Sequence, residues 1–123
     1  MIRNLARSGR VHEMSLMGGV FEAIDSALVL HSVKKVTLVK LKIGQLTNAE
    51  PEALSLAFEA YSKGTRCEGA ELVVEIILVR GRCKLCGEEF PVQGLFFFCP
   101  SCKHPGIEVT QGEELVLESL EVE

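Results

Sequence analysis

Cys83-Lys84-Leu85-Cys86 and Cys99-Pro100-Ser101-Cys102 are two Cys-x-x-Cys pairs separated by residues 87–98. A thiolate pair at this spacing turns back on itself and offers both sulfurs to one metal. Two such pairs, joined by a hairpin, complete a tetrahedral four-cysteine shell, the usual closed structural zinc site. Turn-forming residues fit the scheme: Gly87 directly follows Cys86, and Pro105-Gly106 closes the segment after Cys102. The same shell would also hold iron. With all four positions filled it leaves none open for catalysis. The module at 83–106 is therefore read as scaffold. It is too short to build a sufficient core alone, so the metal holds it together. Phe90 and Phe96-Phe97-Phe98 are expected to pack around the knuckle as the module's own core.

Outward from the module, 123 residues suffice for one compact domain, or one domain with a small insertion. Thirteen Lys and Arg face seventeen Asp and Glu, a net charge of −4. That balance argues against a phosphate-binding face, which needs clustered bases. The only basic residues around the knuckle are Arg80, Arg82, Lys84 and Lys103. Residues 1–10 carry Arg3, Arg7 and Arg10 and no acid, and they lack the apolar core of a signal peptide. No segment approaches the roughly 18 apolar residues that span a bilayer. A reducing cytoplasm suits thiolate ligands. The fifth cysteine, Cys67, has no second ligand at chelating distance and reads as a buried or half-buried thiol.

The rest of the chain alternates. Met14, Met17, Val20, Phe21, Ile24, Ala27 and Leu28 fall at three-and-four spacing, one face of a helix running toward Leu30. Glu22 and Asp25 lie off that stripe. Gly18 and Gly19 weaken the helix locally and permit close approach of another element. Lys35 to Ile43 reads as a strand whose second half alternates Lys40 and Lys42 with Val39, Leu41 and Ile43, and Gly44 ends it. Pro51 suits the first turn of a second helix with Glu50 and Glu52 at its start. Leu54, Phe58 and Tyr61 mark its buried stripe, and Gly64 its stop. Leu72 to Val79 reads as a strand buried on part of both faces, and Glu114 to Val122 as a last strand.

The order helix, strand, helix, strand, knuckle, strand predicts an α+β fold. The strand–helix–strand crossover makes its two strands parallel. The knuckle, leaving the second strand and returning into the third, favours antiparallel pairing there. The expectation is a small mixed three-stranded sheet with two helices on one face, plus an inserted zinc-ribbon-like four-cysteine module. The domain occupies 11–82 and 107–123, the module 83–106, and 1–10 is a tail.

At its other end the chain carries His12-Glu13-Met14-Ser15-Leu16 just before the first helix. Alone, a His beside a Glu at a helix start is unremarkable. Together with the helix after it, Lys42-Ile43-Gly44, Glu52-Ala53-Leu54 followed by Phe58, and both cysteine pairs with Cys99-Pro100, it resembles the HypA family of hydrogenase nickel-incorporation proteins over residues 11–123. The resemblance implies a nickel metallochaperone and not an enzyme. Ni(II) would bind transiently at His12 and Glu13, and Zn(II) structurally at Cys83, Cys86, Cys99 and Cys102. The implied partners are a nickel-handling GTPase and the large-subunit precursor of a nickel–iron hydrogenase. Related proteins also serve urease. The sequence shows no phosphate loop, no His-Glu-x-x-His and no nucleophile–base pair.

In that family the residue before the histidine is the initiator Met, whose free α-amine lies close to the nickel ligands. Here the position is Val11. A valine codon can serve as a bacterial start, so the expectation is a protein beginning at position 11, with 1–10 not translated. The alternative is a genuine tail, which turns the Val11 amine into an amide. The rival functions are a zinc-ribbon adaptor for protein or nucleic acid and an iron-bearing electron carrier. His31 and His104 stand next in line as nickel ligands. His104, two residues after Cys102, reads as a solvated histidine at a turn, and whether it exchanges into the zinc shell is open.

Overall fold

The structure is a computed structural model and describes residues 13–93 and 97–123. The expectations for residues 1–10, Val11, His12 and Phe96 fall outside the described residues. The elements run α1 (Glu13–Leu28), β1 (Val36–Gly44), a short 3-10 turn (Gln45–Thr47), α2 (Pro51–Ser62), β2 (Glu71–Ile77), β3 (Arg80–Cys83), β4 (Glu89–Pro91), β5 (Ile107–Gln111) and β6 (Leu115–Val122).

β1, rich in Val, Leu and Ile, is the centre of a three-stranded sheet of order β2-β1-β6. β2 lies parallel to it, as the crossover through α2 requires, from Leu38 opposite Glu71 to Gly44 opposite Ile77. β6 is antiparallel, but its partner is β1 and not the β2 strand it follows, so Val36 meets Val122 and Ile43 meets Leu115. The module is thus spliced into a connection that passes from one edge of the sheet to the other.

Val39, Leu41 and Ile43 of β1 are fully buried on one face. They share a core with Leu16, Met17, Val20, Phe21, Ile24 and Leu28 of α1, with Leu54, Ala57 and Phe58 of α2, and with Leu115 and Leu117 of β6. Each buried Val, Leu, Ile, Met or Phe among them contributes about 1.5–3 kcal/mol relative to exposure. The opposite face carries Lys40 and Lys42, whose Nζ atoms lie 3.7 and 3.5 Å from Glu118. Glu118 is the extra residue of a bulge, since Leu41 pairs with Leu117 and Lys40 with Ser119. The bulge shifts parity by one, which lets Leu117 and Leu120 both pack against the core despite odd spacing.

The helix stripe differs in detail from its periodicity. Leu16 is buried, whereas Met14 and Ala27 are exposed and α1 stops at Leu28. Gly18 admits Tyr61 of α2, as a Cβ there would stand 3.0 Å from the Tyr61 hydroxyl. Tyr61 stacks on Phe21 at 5.5 Å yet stays 37% exposed. β2 is an edge strand covered on one side only. Leu72 and Val74 meet the core, while Ile76 and Leu78 are exposed.

The cysteine segment builds its own sheet of order β4-β3-β5, all antiparallel. Its strands reach from Arg80 to Gln111. Sequence patterning had shown none of these three strands. Its small core is Val79, Cys83, Phe90, Val92 and Cys99, with Phe97, Ile107 and Val109 against it. Phe90 and Phe97 pack as expected; Phe98 instead points outward, 56% exposed.

Candidate metal centres

Two knuckles of one plan bring the four cysteines together. In the first, the Gly87 N–H donates to the Cys83 carbonyl at 2.9 Å. The Leu85 and Cys86 N–H groups point at Cys83 Sγ, at 3.4 and 3.5 Å. In the second, the Lys103 N–H donates to the Cys99 carbonyl at 2.9 Å, and the Cys102 N–H lies 3.5 Å from Cys99 Sγ. Both turns close on a left-handed residue: Gly87 at φ +82°, Lys103 at φ +65°. Across the knuckles, Cys83 Sγ stands 3.5 Å from Cys102 Sγ and Cys86 Sγ 3.5 Å from Cys99 Sγ. All four sulfurs lie within 4.8 Å of one another, a group able to hold a metal ion.

Lysine in the left-handed region costs roughly 1–2 kcal/mol that glycine does not. Lys103→Gly is therefore expected to stabilise the metal-loaded module by about 1 kcal/mol, less what the freer unfolded chain takes back. Thermal unfolding at fixed metal loading reads the effect; an unchanged or lowered midpoint would contradict it.

Each pair presents one inner and one outer sulfur. Cys83 and Cys99 are buried, while Cys86 and Cys102 are exposed. Hydrogen bonds from the knuckle backbone favour the thiolate form at the inner sulfurs. The Cys86 N–H, then that of Leu85, helps hold Cys83 down at about 6 against the effect of burial. Cys99 is lowered, chiefly by the Cys102 N–H. At Cys86 the Glu88 N–H pulls downward, but the Cys99 sulfur, burial and the remaining sulfurs push the thiol up to about 12. Cys102 is raised too: the His104 N–H opposes, and burial with the Cys83 and Cys99 sulfurs prevails. Four thiolates so close cannot all stay ionised unless a cation neutralises them, and a bound metal does that.

At the other end Glu13 opens α1. Its Oε2 accepts the Glu50 backbone N–H at 2.9 Å. Glu50 is the N-cap of α2 and makes no side-chain cap of its own. Glu13 thus does from a neighbouring helix what a capping-box glutamate does from within, and its charge sits at the positive end of the α2 dipole. Sequence spacing gave no sign of this link, because the partners are far apart in the chain and one of them is a backbone group. An apolar groove opens beside Glu13, lined by Met14, Ala53, Leu56 and Ala57.

The remaining histidines stand apart. His31 follows the far end of α1, about 24 Å along the helix from Glu13 at 1.5 Å per residue. His104 is half-buried in the module, where its Nδ1 accepts the Gly106 N–H at 2.9 Å. It is not one of the metal-holding group. Cys67 is 2% exposed in the main core, and burial raises its thiol.

An α/β domain carrying an inserted four-thiolate module defines a metal-binding protein. Residues 11–122 match the family described as hydrogenase/urease nickel incorporation, metallochaperone, HypA. The chain belongs to this family. The hydrogenase maturation factor HypA of Desulfitobacterium hafniense is 69% identical over 113 residues, 92% of this chain and 99% of that protein. That of Geobacter metallireducens is 42% identical over 92% of this chain and 100% of its own. The solution structure of the Ni metallochaperone HypA from Helicobacter pylori superposes with a TM-score of 0.69 at 25% identity, covering 91% of this chain and 97% of that one. Among the described residues no helix is long and apolar enough to cross a membrane.

Proposed function

We propose that this protein carries Ni(II) to the large-subunit precursor of a nickel–iron hydrogenase, acting with a nickel-handling GTPase in the cytoplasm, and performs no catalysis itself. The observation that carries this reading is the family match over residues 11–122, which takes in His12-Glu13-Met14-Ser15 at the entry to α1 as well as both cysteine pairs. The two metal sites then divide the work. The thiolate cluster suits Zn(II) as a closed structural ion: at Zn–S of about 2.3 Å a tetrahedron has S···S edges of about 3.8 Å, and the observed sulfur spacings are compatible with that. Cys83, Cys86, Cys99 and Cys102 would hold it, and its chemistry there is neutralisation of four thiolates. The zinc module is built on residues 83–106, with its sheet extended through β3 and β5 to Arg80 and Gln111, and the remainder of 11–123 is the nickel-binding domain.

Nickel is cargo and needs a labile site. His12 and Glu13 are its proposed ligands. Ni(II) favours planar, nitrogen-rich coordination, and a chain starting at position 11 as Met adds an α-amine next to the His12 amide and imidazole. One Glu13 carboxylate oxygen is engaged at α2, which fixes the residue beside His12.

Donor count gives the test. A chain starting at position 11 as Met is expected to bind Ni(II) more tightly than the 123-residue chain, in which that nitrogen is an amide. The nearest amine of the longer chain is ten residues away, and loop closure opposes its return. Acetylating the shorter chain should lower its affinity to that of the longer one. Titration near pH 7.5 at fixed zinc loading reads both. Equal affinities, unmoved by acetylation, would remove the amine from the ligand set.

A further inference from the structure

Two passages of chain join the four-cysteine module to the α/β domain: Leu78-Val79 leads out of β2 into β3, and Gly112-Glu113-Glu114 leads out of β5 into β6. A module tethered by two strands and nothing else would swing, since relative motion is the default when few contacts cross a boundary. Here both passages are bonded to one short stretch, Gly44-Gln45-Leu46, where β1 runs into its 3-10 turn. Gln45 Oε1 accepts the Val79 N–H at 3.2 Å. The Leu46 N–H donates to the Gly112 carbonyl at 2.7 Å, and the Gly44 N–H to the Glu114 carbonyl at 2.6 Å. Gln111 Nε2 adds a brace to the Leu78 carbonyl at 2.9 Å, tying the passages to each other.

Packing at this point requires glycine on both sides. A Cβ on Gly44 would strike the Gly112 carbonyl and the Glu113 nitrogen, which are backbone and have no rotamer by which to yield. Gly112 sits at φ +113°, and a Cβ there would come within 2.8 Å of the Val79 Cα. Val79 in turn belongs to the module's own core.

We infer that Gly44, Gln45 and Gly112 form a clasp that locks the four-cysteine module to the α/β domain in a single orientation, with Gln45 as its side-chain latch. The inference is independent of which metal fills the thiolate cluster and of the nickel reading. Its consequence is positional: the outer sulfurs and the exposed Leu85 and Phe98 are held at a set place relative to the helix pair. A partner touching both halves therefore meets a preformed surface.

The test uses the full chain with Zn(II) bound. Amide residual dipolar couplings from the two halves of the native protein should fit one alignment tensor. Gly44→Ala should retain its zinc, yet its halves should need separate tensors, with the smaller magnitude for the module. Where Gly44→Ala fails to fold, Gln45→Ala combined with Gln111→Ala decides: it removes only side-chain bonds, should keep the zinc, should raise Val79 amide exchange about five- to tenfold, and should lower the module's tensor magnitude. Separate tensors in the native chain, or a folded variant that keeps the shared native tensor, would overturn the clasp.

Discussion

Cys86→Ala is expected to strip the module of its metal and unfold residues 80–111, while the helix-covered sheet stays folded. Among the described residues the module's buried core has five members, and two of them, Cys83 and Cys99, are themselves candidate ligands. The other described members are Val79, Phe90 and Val92, with Phe97, Ile107 and Val109 only partly buried against them, too little apolar surface to order three short strands. The metal's binding energy is thus largely the module's folding energy. Cys86 contributes an outer sulfur and little packing, so its loss acts through coordination and not through a cavity. Outer-shell partners alone typically cost about 10- to 100-fold in metal affinity, and loss of a ligand should cost more. The large core lies elsewhere, between Leu16 and Leu117, and includes no candidate ligand. Elemental analysis, proteolysis within 84–106 and the amide spectrum read the three parts of the expectation. A zinc-free variant whose module still resists protease would sink it.

His12→Ala should do the converse, abolishing most nickel binding and hydrogenase maturation while leaving zinc content and thermal stability unchanged. The two donor sets share no residue. The other histidines are poor substitutes: His31 is at the far end of α1, and His104 keeps Nδ1 on the Gly106 N–H. Nickel titration of the zinc-loaded variant, with unfolding monitored in parallel, separates loss of a ligand from loss of fold. Full nickel affinity would place the ligand outside His12.

The elements themselves were legible because their signals are local. Two Cys-x-x-Cys pairs announce a knuckle, Pro51 and Gly64 bracket a helix, and alternation in β1 separates Lys40 and Lys42 from the core face. What escaped depends on distant or backbone groups. The partner of β6 is chosen by which strand offers an open edge, and no pattern inside 115–122 records that β1 does. The bulge at Glu118 breaks the alternation within that strand, so the strand was readable but not which of its side chains face the core. β3, β4 and β5 are three to five residues long, shorter than a period-2 pattern needs to stand out. Met14 lies on the apolar stripe but at the helix end, where it is half exposed beside the groove with Ala53 and Leu56, while Leu16 is buried. Lys103 stands where the first knuckle has glycine, and its residue type gives no hint of a positive φ. The cysteines were readable as a set; the Glu13–Glu50 bond was not, because a backbone N–H has no sequence signature.

The pairing of β1 with β6 also governs how the chain comes together in time. Val36 must find Val122 across most of the chain, and contacts so far apart in sequence are slow to form. β6 is synthesised after every other described strand, so the central strand waits with one edge bare. The module lies wholly within that gap and is complete before β6 is made. Once folded on its metal, it collapses the long connection into a compact hairpin whose two ends emerge side by side, shortening the loop that remains to be closed. A metal bound at the four-cysteine module should thus hasten closure of the helix-covered core, and refolding followed at Tyr61 should slow when a chelator is present from the start. Equal rates with and without chelator would show that β6 docks without help from the module.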